Sequence, residues 1–240
     1  MVVSQRSDGG IDTAVHGARD RERAAGQALA VLSLDVDGSG YAAVGDRDPV
    51  IGRLQRELGF LRPVLFHSPY EAACSFLIGH RIRIVQGREI RRRMAEALGD
   101  AIEVDGGEVH AFPRPQRLLE TTEFPGLNAE KIERLHGAAR AALDGTLDRG
   151  QLRALPVADA LASVRTLRGM GEFFALGVVL RGAGLVDEFA GDEITLAGIR
   201  RFYGLAEGDR EGLAGVVEAW KPYRTWCSVL VHASERGSRS

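Results

Sequence analysis

The sequence predicts a mainly α-helical fold. Three observations lead there: from Tyr70 onward apolar residues recur at helical spacing, Pro and Gly mark most boundaries, and a single stretch, Ala28–Val44, reads as β-compatible. Hydrophobic residues make up 45% of the 240, enough for a core in one or two domains. No apolar run approaches the roughly 20 residues that span a bilayer, and the N-terminus lacks a charged head followed by an apolar stretch. The expected location is the cytoplasm, with no membrane partner. Two cysteines, Cys74 and Cys227, are too few for a disulfide scaffold, a four-cysteine zinc site or a cluster held by four thiolates. The charge is nearly balanced, 31 basic against 33 acidic residues, so only its local distribution can speak for or against a nucleic-acid partner.

Taken in order, residues 1–26 mix Ser, Gly, Asp and Arg without periodicity and read as a mobile leader. Residues 27–65 follow as a short N-terminal β region: Ala28–Asp35 is β-compatible, Asp37-Gly38-Ser39-Gly40 punctuates it, and Tyr41–Val44 completes a hairpin or strand pair. Residues 66–240 form the helical domain. Between Asn128 and Leu143, Ile132, Leu135, Ala139 and Leu143 share one helical face, and Gly145 stands where a helix should stop. Val157, Ala160, Leu161, Val164 and Leu167 repeat the pattern up to Arg168-Gly169-Met170-Gly171, after which Phe173–Arg181 resumes it as far as Gly182.

Two helices flanking so short a glycine turn carry a physical expectation. Glycine permits positive φ and close backbone approach, and the unpaired N–H groups of the second helix suit an anion such as a phosphate. An ordinary helical corner packed tightly by its glycines is the structural alternative. A dinucleotide fingerprint is excluded, because Gly169-x-Gly171 follows a helix rather than a strand and lacks the third glycine. Asp35–Asp46 imitates a calcium loop, but its twelfth position is Asp rather than a bidentate Glu. The six histidines (His16, His67, His80, His110, His136, His232) show no metal-ligand spacing, so no metal is expected.

An ordered set of motifs over roughly residues 60–235 resembles the helix-hairpin-helix DNA glycosylases, specifically the bacterial 3-methyladenine DNA glycosylase II group. The set runs Leu61-Arg62-Pro63, Ser68-Pro69-Tyr70-Glu71-Ala72, Ile78-Gly79-His80-Arg81, Ala111-Phe112-Pro113-Arg114-Pro115 and Gly126-Leu127 with Lys131. It continues with the glycine turn, Arg181-Gly182, Asp187 and Trp220-Lys221-Pro222-Tyr223-Arg224-Thr225-Trp226. The resemblance implies two helical lobes with a short β remnant before them. It further implies a monomer, needing no cofactor and no protein partner, that flips alkylated bases out of double-stranded DNA and excises them by hydrolysis.

In that family the hairpin grips a backbone phosphate, which would fall to Arg168, Gly169, Met170 and Gly171. The wedge that fills the gap left by a flipped base falls on His80 and Arg81, where the family usually has Gln, Leu or both. A carboxylate after the second hairpin helix assists loss of the base, since breaking the glycosidic bond builds positive charge on the sugar. Ungapped counting places Glu193 there, and a one-residue shift places Asp192. Asp192 as the N-cap of a helix over Ile194–Tyr203, with Glu193 as a first-turn acid, is the structural alternative.

Phe173 stands where bifunctional relatives carry a Schiff-base lysine, so lyase chemistry is not expected. Glu172, where the family commonly has Pro or Arg, repels a phosphate, and Arg168 is expected to offset it. Six arginines against Glu89 over positions 81–93 offer a local positive surplus or, alternatively, a solvated helix face. An aromatic pocket for a cationic alkylated purine would draw on Phe173, Tyr223 and Trp226, with Trp220 a further candidate. Gly177 stands where a bulky pocket residue can occur, and His232 replaces the aromatic that often closes the last stretch. Core packing of Trp220 and Trp226 is the plainer alternative. A DNA-lesion or DNA-structure binder that kept the scaffold without catalysis is the rival function.

Overall fold

The computed structural model describes residues 2–7, 10–15, 20–104 and 106–237, and His16 lies outside them. Its chain divides into two compact units, Met1–Val31 with Leu65–Gly184, and Leu32–Val64 with Leu185–Ser240. Helices dominate both, as the periodicity predicts.

The first unit opens with an antiparallel hairpin, β1 (Val2–Gln5) and β2 (Ile11–Ala14), then α1 (Arg21–Val31). The segment expected to be a mobile leader contains these two strands and the start of α1. The strand expected from Ala28 is the end of α1, because Ala-Leu-Ala-Val suits either period and alanine favours the helix.

In the second unit α2 (Tyr41–Arg47) and α3 (Pro49–Glu57) replace the remaining strand of the expected pair. Asp37, read as a hairpin turn, accepts a hydrogen bond from the Ser39 N–H just ahead of α2. The β structure that does occur lies at β1–β2 and at β3 (Ala101–Val104) with β4 (Gly107–His110).

The body of the first unit is built on α4 (Pro69–Gly79), capped by Ser68 and started by Pro69. Its buried face carries Ala72, Ala73, Cys74, Leu77 and Ile78. Around it run α5 (Ile84–Leu98), α6 (Pro115–Leu119), α7 (Ala129–Leu143), α8 (Arg149–Ala154) and α9 (Val157–Arg165). After the glycine turn come α10 (Glu172–Val178) and a π-helical turn, Val179–Ala183, stopped by Gly184 in the left-handed region. The helices read from Asn128 and from Val157 match α7 and α9 closely.

The second unit packs α2 and α3 against α11 (Glu193–Tyr203), α12 (Arg210–Ala219) and α13 (Arg224–Gly237). Val44, Ile51, Leu54, Ile199, Trp220, Trp226 and Leu230 fill its core. One buried acid ties the helices together. Asp48 caps α3 through the Val50 and Ile51 N–H groups, and its other oxygen accepts from Tyr203 Oη at 2.6 Å and Trp220 Nε1 at 3.1 Å. Loss of one such donor to a buried carboxylate costs about 1–3 kcal/mol. The end of α11 is thereby held to α3 and to the end of α12.

Candidate active site

The glycine turn has the conformation its composition anticipates. Gly169 sits at φ +89°, and a β-carbon there would lie 2.9 Å from Arg134 Cδ and 3.1 Å from Leu77 Cδ2. Both backbone conformation and space thus require glycine. Met170 is buried and anchors the turn to the unit's core. Gly171 is the N-cap of α10, contributes no side-chain cap, and has open space where a β-carbon would be. The first N–H groups of α10 consequently lack a side-chain acceptor.

Charge around the turn is arranged differently from the expectation. Arg168 pairs with Glu133 at 2.7 Å and approaches Glu130 at 3.7 Å, so it does not offset Glu172. The arginines of α5 are likewise engaged: Arg91 with Glu71, Arg92 with Glu89 and Glu96, Arg93 with Glu89. Arg81, Arg83 and Arg88 remain exposed outside these pairs, beside exposed Ile84 and Val85. Much of the run is thus a solvated, internally paired helix face, and its positive surplus is concentrated at the start of α5.

The His80-Arg81 pair ends α4. Arg81 is exposed and holds φ +57°, a left-handed conformation uncommon outside glycine. His80 sits edge-on to Phe174 at 5.6 Å, and Arg134 Nη1 lies 3.3 Å from its Nδ1. Partial burial, followed by the charges of Arg81, Arg134 and Lys131, holds its pKa below the ordinary value, which favours the neutral ring.

The pocket candidates separate. Phe173 is 67% exposed at the start of α10. Gly177 faces Phe76, whose ring would lie 2.5 Å from an added β-carbon, so its smallness serves packing of α10 on α4 rather than an open pocket. Tyr223 and Trp226 are 7% and 1% exposed, within an aromatic cluster with Tyr41. Arg62 covers Trp226 with its guanidinium 4.7 Å from the ring centre, the place a cationic base would need. Trp220 and Trp226 build the core, as the plainer alternative has it, and Tyr223, expected to line a pocket, packs with them.

The two acids have unlike surroundings. Asp192 is the N-cap of α11: Oδ1 accepts from the Ile194 N–H at 3.0 Å and the Thr195 N–H at 3.1 Å, and Oδ2 from the Thr195 hydroxyl at 2.6 Å. His232 Nδ1 lies 3.2 Å from Oδ1. Burial pushes this carboxyl upward, but the Thr195 hydrogen bonds and His232 outweigh it, and the group lies below the usual carboxylate range. Glu193, the first residue of α11, is exposed, and its side chain has no hydrogen bond or ion pair among the described residues. His232 reaches the helix start because Gly198 lets α13 come close: a β-carbon there would meet Val231 Cγ1 at 2.7 Å.

Several participants escaped the sequence reading. Thr195 was legible as a polar residue three places beyond an N-cap. Arg134, Phe76 and Phe174 around His80, and Arg62 over Trp226, carry no local signal, because tertiary packing alone brings them there.

No protein-family model matches the chain. Over 169 residues it is 26% identical to a DNA-3-methyladenine glycosylase of Bacillus subtilis (strain 168), and the match covers 69% of this chain. The chain spans 56% of that relative's length. Among solved structures, a 3-methyladenine DNA-glycosylase from Archaeoglobus fulgidus superimposes with a TM-score of 0.76 at 18% identity, covering 98% of this chain and 81% of its own. MBOgg1 in complex with a low-affinity DNA ligand superimposes with a TM-score of 0.71 at 17% identity, covering 99% and 89%. At such identities the likeness is one of fold.

Proposed function

We propose that this chain, whose fold is that of the helix-hairpin-helix DNA glycosylases, excises alkylated bases such as 3-methyladenine from double-stranded DNA as a monofunctional hydrolase. The observation that carries the reading is the contrast at the start of α11, where Asp192 is saturated and Glu193 is exposed and unpaired. An acid whose oxygens already accept four contacts has little left for a substrate. Glu193, with no partner of its own among the described residues, is the acid open to the cationic sugar that forms as the base leaves, a charge that a nearby anion stabilises more than the ground state. Asp192 is then the cap that anchors the helix start.

The hairpin's part is to hold a backbone phosphate on the uncapped start of α10, with Gly169 and Gly171 admitting it and Met170 fastening the turn. Arg81 and His80 are the candidates for the gap left by the flipped nucleotide, and Phe173 is the exposed ring available to stack on a base. Both lysines are occupied elsewhere: Lys131 Nζ donates to the Ile78 carbonyl at 2.6 Å and Lys221 pairs with Glu218 at 2.7 Å. A Schiff base has no candidate amine at the hairpin, which favours water as the nucleophile. The acting species is a cytoplasmic monomer.

The test is base release from methylated duplex DNA in single turnover. Wild type is expected to release alkylated purines, and Glu193→Gln to slow release on the order of 10²–10³-fold with unchanged DNA affinity. Absence of release, with binding to abasic-analogue DNA retained, would instead favour a non-catalytic lesion binder.

A further inference from the structure

We propose that His232 acts as the general base of the reaction, taking the proton of the water that replaces the departing base. The inference rests on the glycosylase reading and adds to it a further catalytic residue. Asp192 Oδ1 lies 3.2 Å from His232 Nδ1, and Thr195 Oγ1 3.4 Å from it. A carboxylate only accepts, and the Thr195 hydroxyl already gives its hydrogen to Asp192 Oδ2 at 2.6 Å, so it too offers Nδ1 only lone pairs. Both neighbours are acceptors, and Nδ1 must carry the proton.

In the neutral ring Nε2 is then the acceptor, and it has no hydrogen-bond partner among the described residues. The side chain is 33% exposed, which admits water. The ring has a carboxylate on its Nδ1 side and a lone pair on Nε2, and it packs at the N-cap of the helix that Glu193 begins.

The step balances without a further reactant. The C1′–N bond breaks with its electron pair going to the base, so a cationic alkylated purine leaves neutral and needs no proton. Water oxygen bonds to C1′, its proton passes to Nε2, and Asp192 faces the resulting imidazolium until solvent removes the proton. Glu193 stabilises the sugar cation, and the two acids divide the work.

Protonation of His232 before the reaction would remove the acceptor and set a second cation beside a cationic substrate, so only the neutral ring can serve as the base. Asp192 is the charged group within hydrogen-bond reach of the ring. On the packed helices, Arg201 pairs with Glu235 at 2.8 Å and Arg53 with Glu57 at 3.8 Å. At the start of α13 Arg224 pairs with Asp187 at 2.8 Å. Glu193 and Arg200 on α11, Arg56 on α3 and Arg236 on α13 are the remaining charges there.

The experiment compares wild type and His232→Gln in single-turnover release of 3-methyladenine and 7-methylguanine across about pH 5–8, the range in which histidine titrates. The expected result is release on the order of 100-fold slower in the variant at the upper end, with the acid-side fall of the wild type gone. Nitrogen-15 NMR of the intact wild-type protein above the histidine range should show the proton on Nδ1 of His232. Unchanged rate and acid limb in the variant, or the proton on Nε2, overturns the role of His232 while leaving the glycosylase reading intact. No base release by wild type overturns both.

Discussion

Helix α10 begins after Gly171 with no side chain on its first N–H groups, whereas α11 begins after Asp192, whose carboxylate fills them. The same backbone requirement is met in one case from outside the chain and in the other from within it. An uncapped helix start keeps its donors and its positive end available to a phosphate. A capped start spends them on its own acid, and what it leaves exposed is the charge of the following residue, Glu193. The two helix starts therefore suit opposite partners, one an anion and the other a developing cation, and neighbouring side chains decide which.

The contrast can be broken at the turn. Gly169→Ala forces a side chain into a left-handed backbone beside Arg134 and Leu77, and is expected to cost about 1–2 kcal/mol of stability, read from thermal or urea unfolding. It should also weaken binding to all DNA sequences alike, since a phosphate contact reads no base. Giving α10 the device of α11 sharpens the comparison: Gly171→Asp has open space and an extended backbone to accept it. DNA affinity should fall on the order of tenfold from the added anion, with a shallower salt dependence and a stability gain of a few tenths of a kcal/mol.

The reverse exchange is smaller. Asp192→Ala removes the α11 cap and should cost about 1 kcal/mol, while Asp192→Asn keeps a capping oxygen and should cost less, as unfolding midpoints will show. The weakest effect is on pH dependence. Because the folded Asp192 carboxyl lies below its ordinary value, its contribution to stability is present above the unfolded pKa and is lost as pH falls through the folded one. Its partial exposure makes that contribution small. His232→Gln should move the carboxyl upward, observable in a carbon-13 titration.

Legibility in the sequence followed how local each determinant is. The helices over Asn128–Leu143 and Val157–Leu167, the glycine turn and the Asp192 cap were readable because spacing, caps and breakers act within a few residues. Ala28–Val44 is not legible in this way: a short apolar run fits either period, alanine favours helix over Ala28–Val31, and burial of Tyr41 and Val44 among distant residues favours it over Tyr41–Arg47. The same distance effect misled the pocket assignment. Nothing near Trp226 announces Arg62, and nothing near Gly177 announces Phe76, yet these two contacts cover residues expected to line a pocket. Arg168 follows suit, its charge drawn to Glu133 from another helix.

The central claim is that Glu193, not Asp192, meets the cationic sugar, with Asp192 acting only through the helix start and His232. Single-turnover release of 3-methyladenine by Glu193→Gln, Asp192→Asn, His232→Gln and the double variant Asp192→Asn with His232→Gln, each measured beside wild type, tests it most directly. The account predicts the deepest loss in Glu193→Gln, and in Asp192→Asn a loss no greater than that of His232→Gln and not additive with it. Near-wild-type release by Glu193→Gln together with loss of release in Asp192→Asn would contradict it.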